Sequence, residues 1–421
     1  MSEASEATET NHAAITSPWR RGWPVVLSGA VGTGCCAGLF VMSAGLFIAP
    51  MRNETGWTMT QAAFAPLVVL IISFMMPAGG WAADRYGARA VAIVGALVYG
   101  SAYLLFAALP LELFLIYPVA IGLGLLGPAG QSAPYLRGVA TWFGDRVGAA
   151  FGATLTGTSL AGVICVPLVA AVIERWGWRA GYYALAAIVL LATLPLILWL
   201  FRERQAGPAE ARIATASPAM SVRAMMADPG FWMLAAALAF AALPLGAYLA
   251  HLQPMLRDRG FSLEQGAAFG ALFAGTTGLG RLLIGVLIDR IWPYGIAIAV
   301  LCIGAAGSFV APMIAPSMAW WCSASIVAAL GLAYGSELDF AAYFVLRVFG
   351  LASFSKVFGC IALVLGCGLA LGGLMGSRLF DWTGSYALVG AVGGGCFLLS
   401  AFAMLAIGIR AGRPGAVARA T

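Results

Sequence analysis

The chain is poor in charge: Asp, Glu, Lys and Arg make up 10% of its 421 residues, against about 25% in a soluble domain. With 62% of the residues apolar, too few polar side chains remain to cover a water-soluble globule, and that class is excluded. A basic leader is also missing. The first eighteen residues are polar and place Glu3, Glu6 and Glu9 where a secretory signal carries positive charge, so residues 1–18 read as a disordered cytoplasmic tail. The net charge of +6 is dispersed over separated loops, which leaves no basic patch for nucleic acid. All eight cysteines lie inside apolar runs, and none forms a C-x-x-C or a Cys/His group at metal spacing. They read as packing residues, and no cofactor or metal is expected. H-E-x-x-H, G-x-S-x-G and phosphate-binding loop motifs are absent too, so neither an enzyme nor a membrane sensor with a soluble domain finds support.

What the chain has is long apolar runs. Bounded by charge, they form twelve spans at 23–50, 59–83, 88–109, 112–139, 145–172, 178–201, 229–256, 264–288, 293–314, 318–346, 355–380 and 384–409. About 20 apolar residues cross the hydrocarbon layer as a helix. In lipid a single span must be helical, because no water satisfies free peptide groups. The expected fold is therefore an all-α membrane protein with twelve transmembrane helices. With both termini inside, sixteen basic residues fall on the cytoplasmic side and six on the other, which favours that orientation in the cell's inner (plasma) membrane. A monomer embedded in the bilayer is the simplest expectation.

One basic residue belongs to neither side: Arg281, in the middle of the eighth span. The only long polar interruption, 202–228, is rich in Ala, Pro and Ser and reads as a cytoplasmic linker. It divides the chain into six-helix bundles at 19–201 and 229–410, followed by a cytoplasmic tail at 411–421. A repeat supports the division. G-W-A-A-D-R at Gly80 to Arg85 recurs as G-V-L-I-D-R at Gly285 to Arg290, an offset of 205. Trp142-Phe143-Gly144 echoes Val348-Phe349-Gly350, and Phe151-Gly152 echoes Phe358-Gly359. Six spans separate the copies, so the halves are parallel repeats, pseudo-symmetric about an axis along the membrane normal.

The loop G-W-A-A-D-R-Y-G-A-R, Gly80 to Arg89, resembles the signature G-x-x-x-D-R-x-G-x-R/K that major facilitator superfamily transporters carry between their second and third helices. The resemblance extends from about Arg20 to Arg410. Within that superfamily, Arg21-Gly22-Trp23-Pro24 and the run from Trp142 to Gly162 resemble motifs of the monocarboxylate transporter family. That family's eukaryotic members place an acid four residues before the eighth-helix arginine, where this chain has Thr277, and a lysine in the first helix, where it has none. The arginine itself corresponds to Arg281.

An arginine deep in hydrocarbon costs at least about 2.5–3.5 kcal/mol and keeps its proton. It must meet an acid or a wet pathway, and its donor fork suits a substrate carboxylate. Glu337 and Asp339 in the tenth span are the acids available for proton coupling. Two residues apart, they point about 200° from one another, so one of them faces the pathway. Tyr334, one turn from Glu337, and Thr277, one turn from Arg281, are candidate substrate donors, as is Tyr117 in the fourth span. His251, near the outer end of the seventh span, is a candidate for both substrate binding and proton exchange, since histidine titrates near neutral pH; a helix-end hydrogen-bonding role is the alternative. Gly80, Asp84, Arg85, Arg146, Gly285, Asp289 and Arg290 read as a cytoplasmic latch in which loop acids meet helix ends and arginines in one state and part in the other.

Together with the resemblance, these residues imply a secondary active transporter of a small organic anion, most simply a monocarboxylate, working with a proton by alternating access. The alternative is export or antiport of a larger organic anion or drug-like compound. Symport of an anion with a proton is electroneutral, avoiding about 2.3 kcal/mol per charge per 100 mV.

Overall fold

The structure, a computed structural model, describes residues 18–62, 64–204 and 220–410. The tails and most of the linker expected from the sequence lie outside the described residues. Among the described residues, eleven helices are long and apolar enough to cross a membrane. In chain order they are α1 (Pro18–Thr55), α2 (Ala65–Tyr86), α3 (Ala88–Ala108), α4 (Leu113–Phe143), α5 (Val147–Trp176), α6 (Trp178–Leu200), α7 (Pro229–Asp258), α8 (Leu263–Ile288), α9 (Pro293–Met313), α11 (Phe354–Thr383) and α12 (Ala387–Arg410). The tenth expected span is also one continuous helix, α10 (Trp320–Phe349). Its serines, Glu337 and Asp339 make it less apolar than the others, which is why it stands apart from the eleven.

Local chemistry sets the helix ends. Asp228 accepts from the Gly230 amide in front of Pro229, and Ser262 and Gln265 form a reciprocal capping box at the start of α8. Where the sequence reading ran one span from 59 to 83, the structure has a short helix, Met59–Ala62, and starts α2 at Ala65. Pro66 in its first turn explains the restart, since proline lacks the N–H that a helix interior requires. Two helices carry wider π turns, Gly34–Gly38 in α1 and Ile188–Thr193 in α6. Ahead of α5 and of α11 the chain turns at Gly144 (φ 50°) and Gly350 (φ 70°). This left-handed backbone is the physical reason the sequence echo keeps glycine at both places.

Packing follows the same plan in each part of the chain. The pairs α1–α5, α2–α4 and α3–α6 recur as α7–α11, α8–α10 and α9–α12. Small residues allow the tightest of these. A Cβ on Gly34 or Gly157 would strike the backbone of the other helix of the α1–α5 pair, and one on Gly246 or Gly372 would do so in α7–α11. The two parts meet chiefly along α2–α11 and α5–α8.

Candidate functional site

Both cross-interfaces close at the end of the bundle that carries Asp84 and Asp289. A Cβ on Gly80 would overlap the Ser355 carbonyl of α11, and one on Gly285 would lie 2.6 Å from the Gly148 carbonyl of α5. Backbone therefore packs on backbone. One turn beyond each glycine, an aspartate caps the facing helix. Asp84 Oδ1 accepts from the Ser355 amide at 3.1 Å and Oδ2 from the Lys356 amide at 2.9 Å. Asp289 takes the Gly148 and Ala149 amides, one on each oxygen, at 2.8 Å. Negative charge at a helix N-terminus meets the free amides and the positive end of the helix dipole.

Arg85 and Arg290 depart from the sequence expectation. Arg85 is exposed, with its guanidinium 5.6 Å from the Trp81 ring and 5.8 Å from Tyr86, and Arg290 is also exposed. Asp84 instead pairs with Arg137 of α4 at 2.6 Å, and the same Nη1 donates to the Leu351 carbonyl across the interface at 2.9 Å. At the second contact the charges acting on Asp289 are those of Arg347, at the end of α10, and Arg146. Sequence adjacency misled here because Arg85 and Arg290 follow their aspartates by one residue, about 100° around a helix. In the sequence Arg137 is only one of the sixteen basic residues counted on the cytoplasmic side.

Burial is the main influence on Asp289 and holds its carboxyl above the ordinary carboxylate range, outweighing the two amide donors and the arginine charges. Relative to a state in which Asp289 is hydrated, closure at this end is therefore expected to be favoured at acid pH and weakened as pH rises through the shifted value. Distance measurements between spin labels placed across this end, taken from pH 4 to pH 8 in wild type and in Asp289→Asn, check this: the wild-type pH slope should flatten in the variant.

Seven residues before the end of α8, about 10 Å into the bundle, Arg281 reaches across to α5. Its Nη1 donates to the Leu155 carbonyl and to Thr158 Oγ1, both at 2.6 Å. Nε is buried without a partner. No acid among the described residues forms an ion pair with this half-buried side chain. On α10, Glu337 and Asp339 are 7% and 3% exposed, and Glu337 Oε1 and both Asp339 oxygens lack hydrogen bonds. The Arg281 charge acts on both acids. It also acts on Tyr334, whose ring lies 5.7 Å from that of Phe273 on α8.

Other candidates are placed elsewhere or already occupied. Thr277 donates its one hydroxyl proton to the Phe273 and Gly331 carbonyls, at 2.8 and 3.2 Å, tying α8 to α10; it offers no free donor. His251 Nε2 sits 3.0 Å from the Gly373 carbonyl and 3.1 Å from Ser377 Oγ, both on α11, near the opposite end of the bundle from Arg281. Tyr117 is half-buried at the start of α4, also toward that opposite end. The structure thus brings Arg281, Tyr334, Glu337 and Asp339 into one electrostatic neighbourhood and leaves His251 and Tyr117 out of it. Thr158 belongs to the neighbourhood and was missed, since one threonine in the run T-L-T-G-T-S has no distinguishing signal in the sequence.

Similarity to known proteins agrees with this architecture. Over 398 residues the chain is 28% identical to Monocarboxylate transporter 11 of Homo sapiens, covering 88% of this chain and 80% of that one. A 296-residue stretch is 31% identical to the probable sulfoacetate transporter SauU of Cupriavidus necator, over 62% of this chain and 66% of that one. The E. coli fucose:proton symporter FucP shares the fold, with a TM-score of 0.68 at 14% identity over 93% of this chain and 99% of that one. Residues 30–353 match the Major Facilitator Superfamily, and the chain belongs to it: a multi-pass membrane transporter resembling the monocarboxylate transporters, and not an enzyme.

Proposed function

We propose that this transporter carries a small monocarboxylate together with a proton by alternating access. In this reading α10 completes twelve crossings, 19–201 and 229–410 are two pseudo-symmetric six-helix halves, and the Asp84/Asp289 end faces the cytoplasm with both termini, in the inner membrane. The observation that carries the anion assignment is the state of the Arg281 fork. Nη1 is held by α5, while the opposite edge, Nε with Nη2, makes no hydrogen bond among the described residues. That edge presents two parallel N–H groups, the geometry a carboxylate accepts bidentately. Tyr334 shares the face with Glu337, which makes Glu337 rather than Asp339 the proton carrier on the substrate side.

A thermal-shift screen of purified protein tests the assignment. Among acetate, propionate, pyruvate, lactate and benzoate, at least one is expected to raise Tm, and its neutral amide is expected to have no effect. Equal stabilisation by acid and amide would reject a carboxylate clamp.

A further inference from the structure

We propose that Thr158 of α5 is a positioning residue for substrate binding: it fixes the guanidinium of Arg281 so that the Nε/Nη2 edge faces the anion, making the binding site a joint construction of both halves. The proposal rests on the Arg281 reading above and adds the residue that orients it. Thr158 Oγ1 is engaged twice, accepting from Arg281 Nη1 at 2.6 Å and donating to the Leu155 carbonyl at 2.8 Å. The Leu155 carbonyl in turn accepts from the same Nη1 at 2.6 Å. These three bonds form a closed triangle. A threonine hydroxyl bonded back to its own helix has a fixed side-chain torsion, so its remaining lone pairs point in one direction, toward α8.

The backbones of α5 and α8 touch next to the triangle. A Cβ on Gly152 would overlap the Arg281 carbonyl, and one on Gly278 would lie 3.6 Å from Ser159. The close backbone approach is at Gly152, while Gly278 is at ordinary van der Waals distance from α5. Of the two acceptors only Thr158 is a side chain, so it alone can be changed without altering the backbone. Valine matches its shape and has no lone pair. In Thr158→Val the Leu155 carbonyl remains as a single acceptor, about which the guanidinium can turn; the bidentate edge is then no longer prearranged and the binding cost rises.

The experiment uses the full chain in proteoliposomes and the radiolabelled monocarboxylate that gives the largest shift in the five-compound screen. Thr158→Val is expected to raise KM about tenfold or more, with Vmax little changed, and Thr158→Ser to restore the wild-type KM. In an Arg281→Lys background, Thr158→Val should add nothing, because the fork it orients is gone. A KM unchanged in Thr158→Val overturns the proposal, as does a loss confined to Vmax, which would make the triangle only a latch between the halves. Thr158→Ala gives the same readout should the valine protein not be recovered. Arg281→Ala is measured alongside: if it transports normally, the anion reading itself fails, whereas an inactive Arg281→Ala beside a normal Thr158→Val rejects only the role of Thr158.

Discussion

Arg281→Ala is expected to reduce uptake of the transported monocarboxylate roughly a hundredfold or more, from loss of a charge-assisted bidentate pair in a half-buried site. It should also erase the thermal stabilisation by that carboxylate. The fold should survive, because the two α5 acceptors that Arg281 occupies already bond to each other through Thr158 and Leu155. Arg281→Lys separates charge from geometry. An ammonium keeps the positive charge but presents no planar fork, so an intermediate loss is expected, with KM raised while transport remains measurable. Titration of uptake against carboxylate concentration for the three proteins checks this order. Equal KM for arginine and lysine would mean that charge alone matters and that the Nε/Nη2 edge has no special part.

Glu337→Gln is expected to have the second large effect, and on a different quantity. The substitution keeps size and hydrogen-bonding capacity but cannot exchange a proton. Substrate binding and exchange of labelled for unlabelled carboxylate should persist, while an inward proton gradient should no longer drive accumulation above the equilibrium level. Asp339→Asn should retain the drive, since its side chain leaves α10 about 200° away from that of Glu337. Counterflow and gradient-driven uptake on the same vesicles distinguish the outcomes. Drive lost in Asp339→Asn and kept in Glu337→Gln would move the proton site to the other acid.

Much of the architecture was legible because membranes restrict the options. Apolar length forces a helix wherever lipid surrounds the chain, and among the described residues eleven of the expected spans hold a helix long and apolar enough to cross a membrane, while the tenth holds one continuous but less apolar helix. The internal echo carried more than topology. Gly80 and Gly285 sit where backbones touch, Asp84 and Asp289 cap the facing helices, and Gly144 and Gly350 make the same left-handed turn. These repeated glycines and aspartates each meet a steric or hydrogen-bonding demand that arises once in each part of the chain, whereas the repeated Arg85 and Arg290 stay exposed. The partners across the interfaces were not legible. Nothing in the sequence joins Arg137 to Asp84 across 53 positions, or Arg281 to Thr158 across 123. Thr277 looked available because it shares a face with Arg281, yet a threonine in a helix readily bonds back to a preceding carbonyl, and here it does so. Arg281 announced itself through the cost of burying a charge; the surface that received it did not.

Proteoliposomes containing the purified protein, loaded with alkaline buffer and placed in acidic medium with the radiolabelled monocarboxylate, test the central claim most directly. Wild-type vesicles should accumulate the carboxylate above its external concentration, lose that accumulation when a protonophore is added, and show none with Arg281→Ala. Accumulation that is indifferent to the proton gradient, or that persists in Arg281→Ala, would contradict a proton-coupled carrier whose anion is held by that guanidinium.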